Sequence, residues 1–238
     1  MAWVERTARG EIAAGAGAGV GKRRRVRPVA LFQIAVHLAA LAPLALLIWD
    51  ALHANLTANP IQALEQRTGK IALALLVVSL ACTPANTLLR FRPAVRWRRP
   101  LGLYAFLYAA LHFLIFIGLD YGLDLRRLRE AIFEKRYALV GFAAFLILLP
   151  LAVTSTKAMM RRMGRRWTRL HRLVYIAAPL VVLHYAWSVK SDIRVPLLYG
   201  AIILLLLALR TRPVRRGISR LSRSSFLDPK GFWEDMSP

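Results

Sequence analysis

Six apolar segments divide this chain, and short polar or basic connections separate them. The segments are residues 29–49, 71–89, 101–119, 137–156, 173–189 and 195–209. A helix needs about 20 mainly apolar residues to cross the hydrocarbon core of a bilayer. The first five segments reach or approach that length. The sixth covers only about 22 Å, so its flanking arginines must extend toward the interface or the bilayer must thin. The pattern predicts an all-α integral membrane protein with six transmembrane helices.

The formal net charge of +23 lies in the connections and the chain ends rather than in the apolar segments. A nucleic-acid-binding protein would carry such charge on a soluble domain, so we expect no nucleic-acid partner. Of the 35 lysines and arginines, 26 lie before the first segment, in the second and fourth connections and after the sixth segment. Cytoplasmic connections carry the excess of Lys and Arg. Both termini are therefore predicted to be cytoplasmic.

Three regions follow from this pattern. Residues 1–28 are rich in glycine and alanine and then basic, which predicts a flexible N-terminal tail. Residues 29–210 form the predicted transmembrane domain, including a short amphipathic helix at about 125–133. Residues 211–238 form a cytoplasmic C-terminal tail to which we assign no structure. No large soluble domain remains, so any soluble catalytic partner must be a separate protein.

Two histidines lie at similar depth in the third and fifth segments. His112 is expected about 16 Å beyond Leu101, and His184 about 24 Å beyond Thr168, so both fall in the outer half of the membrane. Imidazoles from two helices can hold a b-type haem from both sides. His171 lies at the cytoplasmic edge, within a basic stretch. Each histidine alone could instead be a packing residue bonded to a neighbouring helix.

The remaining candidates are open to simpler interpretations. On an ideal helix, His171 and His184 point about 140° apart, and Pro179 between them should introduce a kink. Either the kink changes the phase or the two histidines serve different neighbours. His37 is either a packing histidine or a further ligand. Cys82 is interpreted as a small buried hydrophobe, and as the sole cysteine it excludes an internal disulfide.

Most other chemistry lacks support in the sequence. There is no glycine-rich phosphate loop, no paired carboxylate within a segment and no recognisable Ser-His-Asp arrangement. Redox chemistry by a bound cofactor fits best, because cofactors perform reactions that side chains cannot. A transporter or scaffold with structural histidines is the rival from another class. The absence of internal repeats and of polar, unwound helices speaks against it.

Several short motifs carry a family resemblance over about residues 43–190. They are Asn59-Pro60, Thr68-Gly69, Thr83-Pro84, R-R-P-L-G-L-Y-A-F-L-Y-A-A-L-H at 98–112, K-R-Y at 135–137, L-A-V-T-S at 151–155, and G-R-R-W-T-R-L-H-R-L-V-Y at 164–175. The chain resembles the MsrQ family, also called YedZ. That family belongs to the ferric-reductase-like transmembrane group.

The resemblance implies an electron-transfer subunit with no catalytic residues of its own, in the inner membrane of a bacterium. In this family a cytoplasmic flavin reductase supplies electrons, and haem b carries them, with FMN as a further cofactor. A periplasmic molybdenum subunit, MsrP, uses them to repair oxidised methionines in envelope proteins. The alternative within redox chemistry is a ferric reductase or another cytochrome b.

The family's histidines map onto His112, His171 and His184, which the resemblance implies as metal ligands. Oxidase relatives carry a second histidine about fourteen residues earlier on the third span, where this chain has Arg98. Either His171 holds a second haem with some other sixth ligand, or the inner site holds flavin. Arg98 and Arg99 would suit a flavin phosphate, because a guanidinium fork matches phosphate oxygens. The simpler interpretation of both arginines is the positive-inside rule.

Overall fold

The computed structural model describes residues 28–91, 93–189 and 192–210, and that part of the chain is helical with no strands. The predicted tails lie outside the described residues, apart from Pro28. A π-helical turn, Phe116–Asp120, continues the third helix. The nine α-helices of the described residues are α1 Pro28–Leu52, α2 Pro60–Leu88, α3 Pro93–Ile115, α4 Leu125–Glu134, α5 Arg136–Val153, α6 Lys157–Met163, α7 Arg165–His171, α8 Val174–Ser188 and α9 Arg194–Ala208.

Five helical stretches in the described part are long and apolar enough to cross a membrane. They are Phe32–Leu52, Pro60–Leu88, Pro93–Asp120, Arg136–Val153 and Arg165–Ser188. Large apolar side chains such as Leu46, Leu114 and Leu204 are exposed on the outer faces, as expected for a bundle whose solvent is lipid. The prediction of an all-α multi-pass membrane protein is confirmed. The apolar helix α9 is shorter, and its crossing and the side of the termini stay predictions.

The helices extend further than the apolar segments. α2 begins at Pro60, where the Asn59 side chain accepts a hydrogen bond from the Gln62 amide at 3.2 Å. The predicted connections at 50–70 and 90–100 are therefore wrong in part, because hydropathy marks the lipid-facing length and not the capped end of a helix. The connection predicted at 157–172 instead contains α6 and α7. Gly164 separates these two helices, with a φ of +49° that favours glycine.

Two antiparallel helix pairs organise the compact unit that begins at Val36. α2 packs along α3, and α5 packs along α8, while α9 contacts both α8 and α2. A buried apolar cluster joins α2, α3, α8 and α9, and comprises Leu73, Leu76, Leu80, Ala105, Ala178, Ile203 and Leu206. Stacked rings of Phe113 and Phe145 add a contact between α3 and α5. The other unit, Met1–Ala35, is described only over the first turns of α1.

A proline inside α2 is compensated by an arginine from the end of the described chain. Pro84 has no amide hydrogen, so the carbonyl of Leu80 loses its helical donor. The Arg210 guanidinium donates to that carbonyl and also to the Thr83 hydroxyl at 3.1 Å. The Arg210 guanidinium carbon also lies 5.5 Å from the centroid of the Tyr175 ring, which adds a cation–π interaction. The end of α9 is thereby fixed to the second half of α2.

Candidate functional site

The rings of His112 and His184 face each other inside the bundle. His112 lies in the last turn of α3 and His184 in α8, and their ring centroids are 5.9 Å apart with the planes inclined at 77°. Both side chains are half-buried. The structure therefore brings together the two histidines that the sequence placed at similar depth.

Each of these two rings is held through its Nδ1 atom by a backbone carbonyl. His112 Nδ1 lies 2.9 Å from the oxygen of Glu65, and His184 Nδ1 lies 2.7 Å from the oxygen of Tyr137. A carbonyl can only accept, so Nδ1 must carry the proton in both rings. Nε2 then holds a lone pair, and within the described residues neither Nε2 has a hydrogen-bond partner. This is the tautomer that a metal-binding imidazole needs.

A glycine lies against each ring. A Cβ atom added to Gly69 would meet His112 Cε1 and Nδ1 at 3.4 Å, and one added to Gly141 would meet His184 Nδ1 at 2.5 Å. The second distance is too short for any real Cβ atom. The His184 ring therefore occupies space that only a glycine at this position leaves open.

The geometry of the pair fits a haem better than a metal held by side chains alone. Metal–imidazole bonds are about 2 Å long, so two axial nitrogens lie about 4 Å apart. With the ring radii added, two imidazoles on one iron would have centroids about 6 Å apart, and the observed centroids are 5.9 Å apart. In the described part of the chain, no three His, Cys, Asp or Glu side chains group as metal ligands. A haem iron needs only two axial protein ligands, because the macrocycle supplies the others.

His171 lies apart from this pair and has different neighbours. Thr154 Oγ1 is 2.6 Å from the Pro150 oxygen, to which it donates, and 3.2 Å from His171 Nε2, from which it accepts. Trp167 stacks on the His171 ring at 4.0 Å and donates its Nε1–H to the Thr154 carbonyl at 3.1 Å. His171 and His184 therefore contact different neighbours, which is the second of the two alternatives that the sequence left open.

Arg98 and Arg99 are half-buried in the first half of α3. The positive charge of Arg98 lies within electrostatic range of His171, Cys82 and Arg210. Neither Arg98 nor Arg99 takes part in an ion pair with a described residue. A positive region without a counter-charge favours binding of an anionic group.

A second basic feature lies on the exposed side of α7. It is a cavity of about 360 Å³, lined by Arg165, Thr168, Arg169 and Arg172. These four residues are exposed, whereas Trp167 and His171 on the opposite side of the helix are half-buried.

The remaining candidates make ordinary packing contacts. His37 Nδ1 lies 2.8 Å from the Tyr104 hydroxyl on α3, and Tyr108, four residues further, is fully buried and donates to the Ala40 carbonyl at 2.8 Å. His53 stacks on the Trp49 ring at 3.9 Å. Cys82 is buried and contacts the Val78 carbonyl through sulfur.

The residues that support the histidines could not be assigned roles from the sequence. Tyr137, Thr154 and Trp167 were part of the quoted motifs, but no role could be given to them without knowing the helix pairing. Gly141 lay outside every motif. The available signal was a single glycine within an apolar segment, which indicates close approach of a neighbour.

A multi-pass helical bundle with two facing, carbonyl-supported histidines defines a class of haem-carrying membrane components. The family model described as "Ferric reductase like transmembrane component" matches residues 68–182. The chain is 44% identical to the "Protein-methionine-sulfoxide reductase heme-binding subunit MsrQ" of Caulobacter vibrioides, over 84% of this chain and 98% of the relative. It is 47% identical to the protein of the same name from Xanthomonas axonopodis pv. citri, over 74% of this chain and 83% of that one. The chain belongs to the MsrQ family. No solved structure matches it.

Proposed function

We propose that this chain is the haem-binding, membrane-spanning electron carrier of a protein-methionine-sulfoxide reductase system. The observation that carries the proposal is the His112–His184 pair, with ring centroids 5.9 Å apart, both Nδ1 atoms bonded to carbonyls and both Nε2 atoms without a partner among the described residues. The names of the relatives, which describe them as heme-binding subunits, agree with this assignment.

His112 and His184 would hold one haem, each through Nε2. Haem b, bound in this way, supplies a one-electron carrier inside the membrane. It is a b-type haem because thioether attachment uses a C-x-x-C-H motif, and this chain has one cysteine. The carbonyls of Glu65 and Tyr137 keep the tautomer fixed, and the packed helix pairs around them limit access of water.

The charge distribution supports an orientation in the membrane, and the family resemblance supports the direction of electron transfer. Both termini and the basic connections are proposed to be cytoplasmic, in the inner membrane of a bacterium. A cytoplasmic flavin reductase would supply the electrons. A periplasmic, MsrP-like molybdenum subunit would receive them and reduce oxidised methionines in envelope proteins. This chain would then be the electron-transfer subunit and not the catalytic one.

The inner site is proposed to bind FMN, with the phosphate held by Arg98 and Arg99. Both arginines lack ion-pair partners among the described residues, and a phosphate would supply the missing counter-charge. His171 lies beside this site at the point of electron entry. The alternative is that the inner site binds a second haem, with His171 as an axial ligand. It would require His171 Nε2 to give up its contact with Thr154.

Purification in detergent and reconstitution into liposomes test the function. We expect a haem absorbance spectrum, reduction of that haem by a flavin reductase with NADH, and methionine sulfoxide reduction only when the molybdenum subunit is added. A colourless, folded protein would favour the transporter or scaffold. Reduction of a ferric chelate without the molybdenum subunit would favour the ferric reductase.

A further inference from the structure

The two histidines of the facing pair sit in half-sites built to the same plan. His112 bonds to the carbonyl of Glu65, and Gly69, the glycine against its ring, is four residues after Glu65. His184 bonds to the carbonyl of Tyr137, and Gly141 is four residues after Tyr137. The histidine follows its carbonyl by 47 residues in both cases. The first half-site is built on α2 and α3, and the second on α5 and α8.

The spacing of four residues has a physical reason. In a helix the Cα–Cβ bond tilts toward the N-terminus, so a side chain covers the turn that precedes it. The residue at i+4 therefore covers the carbonyl of residue i. A glycine at that position leaves the carbonyl open to a donor from the next helix, although the carbonyl still accepts its own helical bond.

A third site follows the same rule away from the histidine pair. Ser79 on α2 donates its hydroxyl to the Arg98 carbonyl at 2.8 Å. Gly102 lies four residues after Arg98, and a Cβ atom there would meet the Ser79 oxygen at 3.3 Å. In all three cases, a glycine four residues after a carbonyl lies where that carbonyl accepts a hydrogen bond from a side chain of a neighbouring helix.

We propose that Gly69 and Gly141 are positioning residues for the haem ligands. Each leaves open the carbonyl that binds the Nδ1–H of the opposing imidazole, and each provides the space in which that ring lies. Together they direct both Nε2 atoms into the gap between α3 and α8. This inference rests on the proposed function, in which His112 and His184 are the axial ligands.

The two glycines should differ in how strictly they are required. The added Cβ at Gly141 would lie 2.5 Å from His184 Nδ1 and 2.7 Å from Cε1, so the ring must move and its carbonyl bond must break. The Cβ at Gly69 would lie at 3.4 Å, an ordinary contact that the ring can accept. Gly141→Ala should therefore be severe and Gly69→Ala mild, whereas the larger Gly69→Val should resemble Gly141→Ala.

The experiment compares haem occupancy and midpoint potential in Gly141→Ala, Gly69→Ala, Gly69→Val and the wild type. A hydrogen bond from Nδ1–H makes an imidazole a stronger donor to its metal, which stabilises the oxidised state. Loss of this hydrogen bond should raise the midpoint potential or lower the haem-to-protein ratio. The change should be large in Gly141→Ala and Gly69→Val and small in Gly69→Ala. Low-temperature electron paramagnetic resonance of the oxidised protein reports ring orientation independently of activity.

The control is Gly200→Ala, whose Cβ would lie 3.3 Å from Val182 Cγ1 and within 4 Å of no histidine atom. The added Cβ atom at Gly200 has a closer neighbour than the one at Gly69, but that neighbour is not a haem ligand. Gly200→Ala should therefore leave both the midpoint potential and the resonance spectrum unchanged. Wild-type occupancy, potential and resonance in Gly141→Ala would overturn the inference. So would equal changes in Gly200→Ala and Gly141→Ala.

Two further measurements separate a folding defect from a positioning defect. Gly141→Ala should lower the melting temperature in the wild type but not in His184→Ala, because its clash is with the imidazole. Equal destabilisation in both backgrounds would mean that the backbone is the obstacle, and would contradict the inference. Haem retained in His184→Ala would instead refute the proposed function itself.

Discussion

The imidazole rings of His112 and His184 lie with their centroids 5.9 Å apart and their planes inclined at 77°, although their helices belong to two different antiparallel pairs. Neither helix pair alone contains both histidines. The α2–α3 pair holds one ring through Glu65, and the α5–α8 pair holds the other through Tyr137. A ligand bound between the rings would therefore tie the two helix pairs together, and removing it should loosen the bundle.

Replacing either ring should abolish haem binding. His112→Ala and His184→Ala each remove one axial nitrogen, and the remaining ligand alone gives a weak, altered site. We expect reduced-minus-oxidised spectra of either purified variant to lack the b-type signal. His53→Ala is the matched control, because His53 is exposed and contacts only Trp49 in the described part of the chain. Full haem content in either of the first two variants would refute the assignment.

The proximity of His112 and His184 could be predicted from the sequence because counting residues along each helix gives them similar heights, and the structure brings the two rings together. Their location in the outer half of the membrane stays a prediction. Their carbonyl partners could not be predicted in this way. The bonds to Glu65 and Tyr137 depend on which helices pair and in what register, and an apolar segment does not encode its neighbour.

Helix ends were the weakest part of the prediction. Apolar length locates the lipid-facing portion of a helix, while α2 continues outward to a polar cap at Asn59. The basic stretch at 157–172 was predicted as a connection, with the fifth helix starting near Arg166. That start agrees with α7, which begins at Arg165, whereas α6 was not predicted. Charged residues such as Arg161 and Arg165 are good helix formers, so high charge does not by itself indicate a loop.

His171→Ala should leave the His112–His184 haem in place, because its ring contacts Thr154 and Trp167 and not that pair. If electrons enter beside His171, stopped-flow reduction by a flavin reductase should be slower in this variant. Thr154→Val removes the oxygen that accepts from His171, at a cost of roughly 1–3 kcal/mol for the unsatisfied donor. Wild-type reduction rates in His171→Ala would show that electrons enter elsewhere.

Arg98→Ala should weaken flavin binding more than haem binding. A lost charge-assisted bond to phosphate is worth roughly 1.5–3 kcal/mol, or about a 10- to 100-fold rise in the dissociation constant for FMN. Fluorescence titration with FMN measures it, with haem content determined on the same samples. Arg99→Ala should act in the same direction.

Arg169→Ala is the control for the flavin experiment. It removes the same charge, but Arg169 lines the exposed cavity on α7 rather than the site beside His171. Equal loss of FMN affinity in Arg98→Ala and Arg169→Ala would indicate a general effect of positive charge. Unchanged affinity in Arg98→Ala would return that arginine to the positive-inside interpretation.

Arg210→Met should destabilise the bundle through the proline of α2. The Leu80 carbonyl, already without its helical donor because of Pro84, would lose its replacement. The expected cost is roughly 1–3 kcal/mol, measured as a lower melting temperature in detergent. In Pro84→Ala the amide of residue 84 can serve the same carbonyl. Arg210→Met should therefore cost less in that background, and an equal cost in both would contradict this account.

Both termini should lie on the cytoplasmic side of the membrane. This outcome depends on whether α9 crosses the membrane. Five crossings would place the termini on opposite sides, whereas a sixth returns the chain. The 15-residue helix α9 spans only about 22 Å. However, Arg210 after α9 bonds to Leu80 and Thr83 in the second half of α2. The chain leaves α2 into the basic connection that the positive-inside rule places in the cytoplasm. The end of α9 should accordingly lie on that same side.

Reporter tags at Met1 and Pro238 test this topology, using one reporter that is active only in the cytoplasm and one that is active only outside it. We expect both ends to score as cytoplasmic. A tag inserted in the connection between α1 and α2, near Thr57, should score on the opposite side and serves as the control. Opposite scores for the two termini would mean that α9 does not cross. The end of α9 would then lie on the opposite side of the membrane from the end of α2, and the Arg210–Leu80 contact could not form.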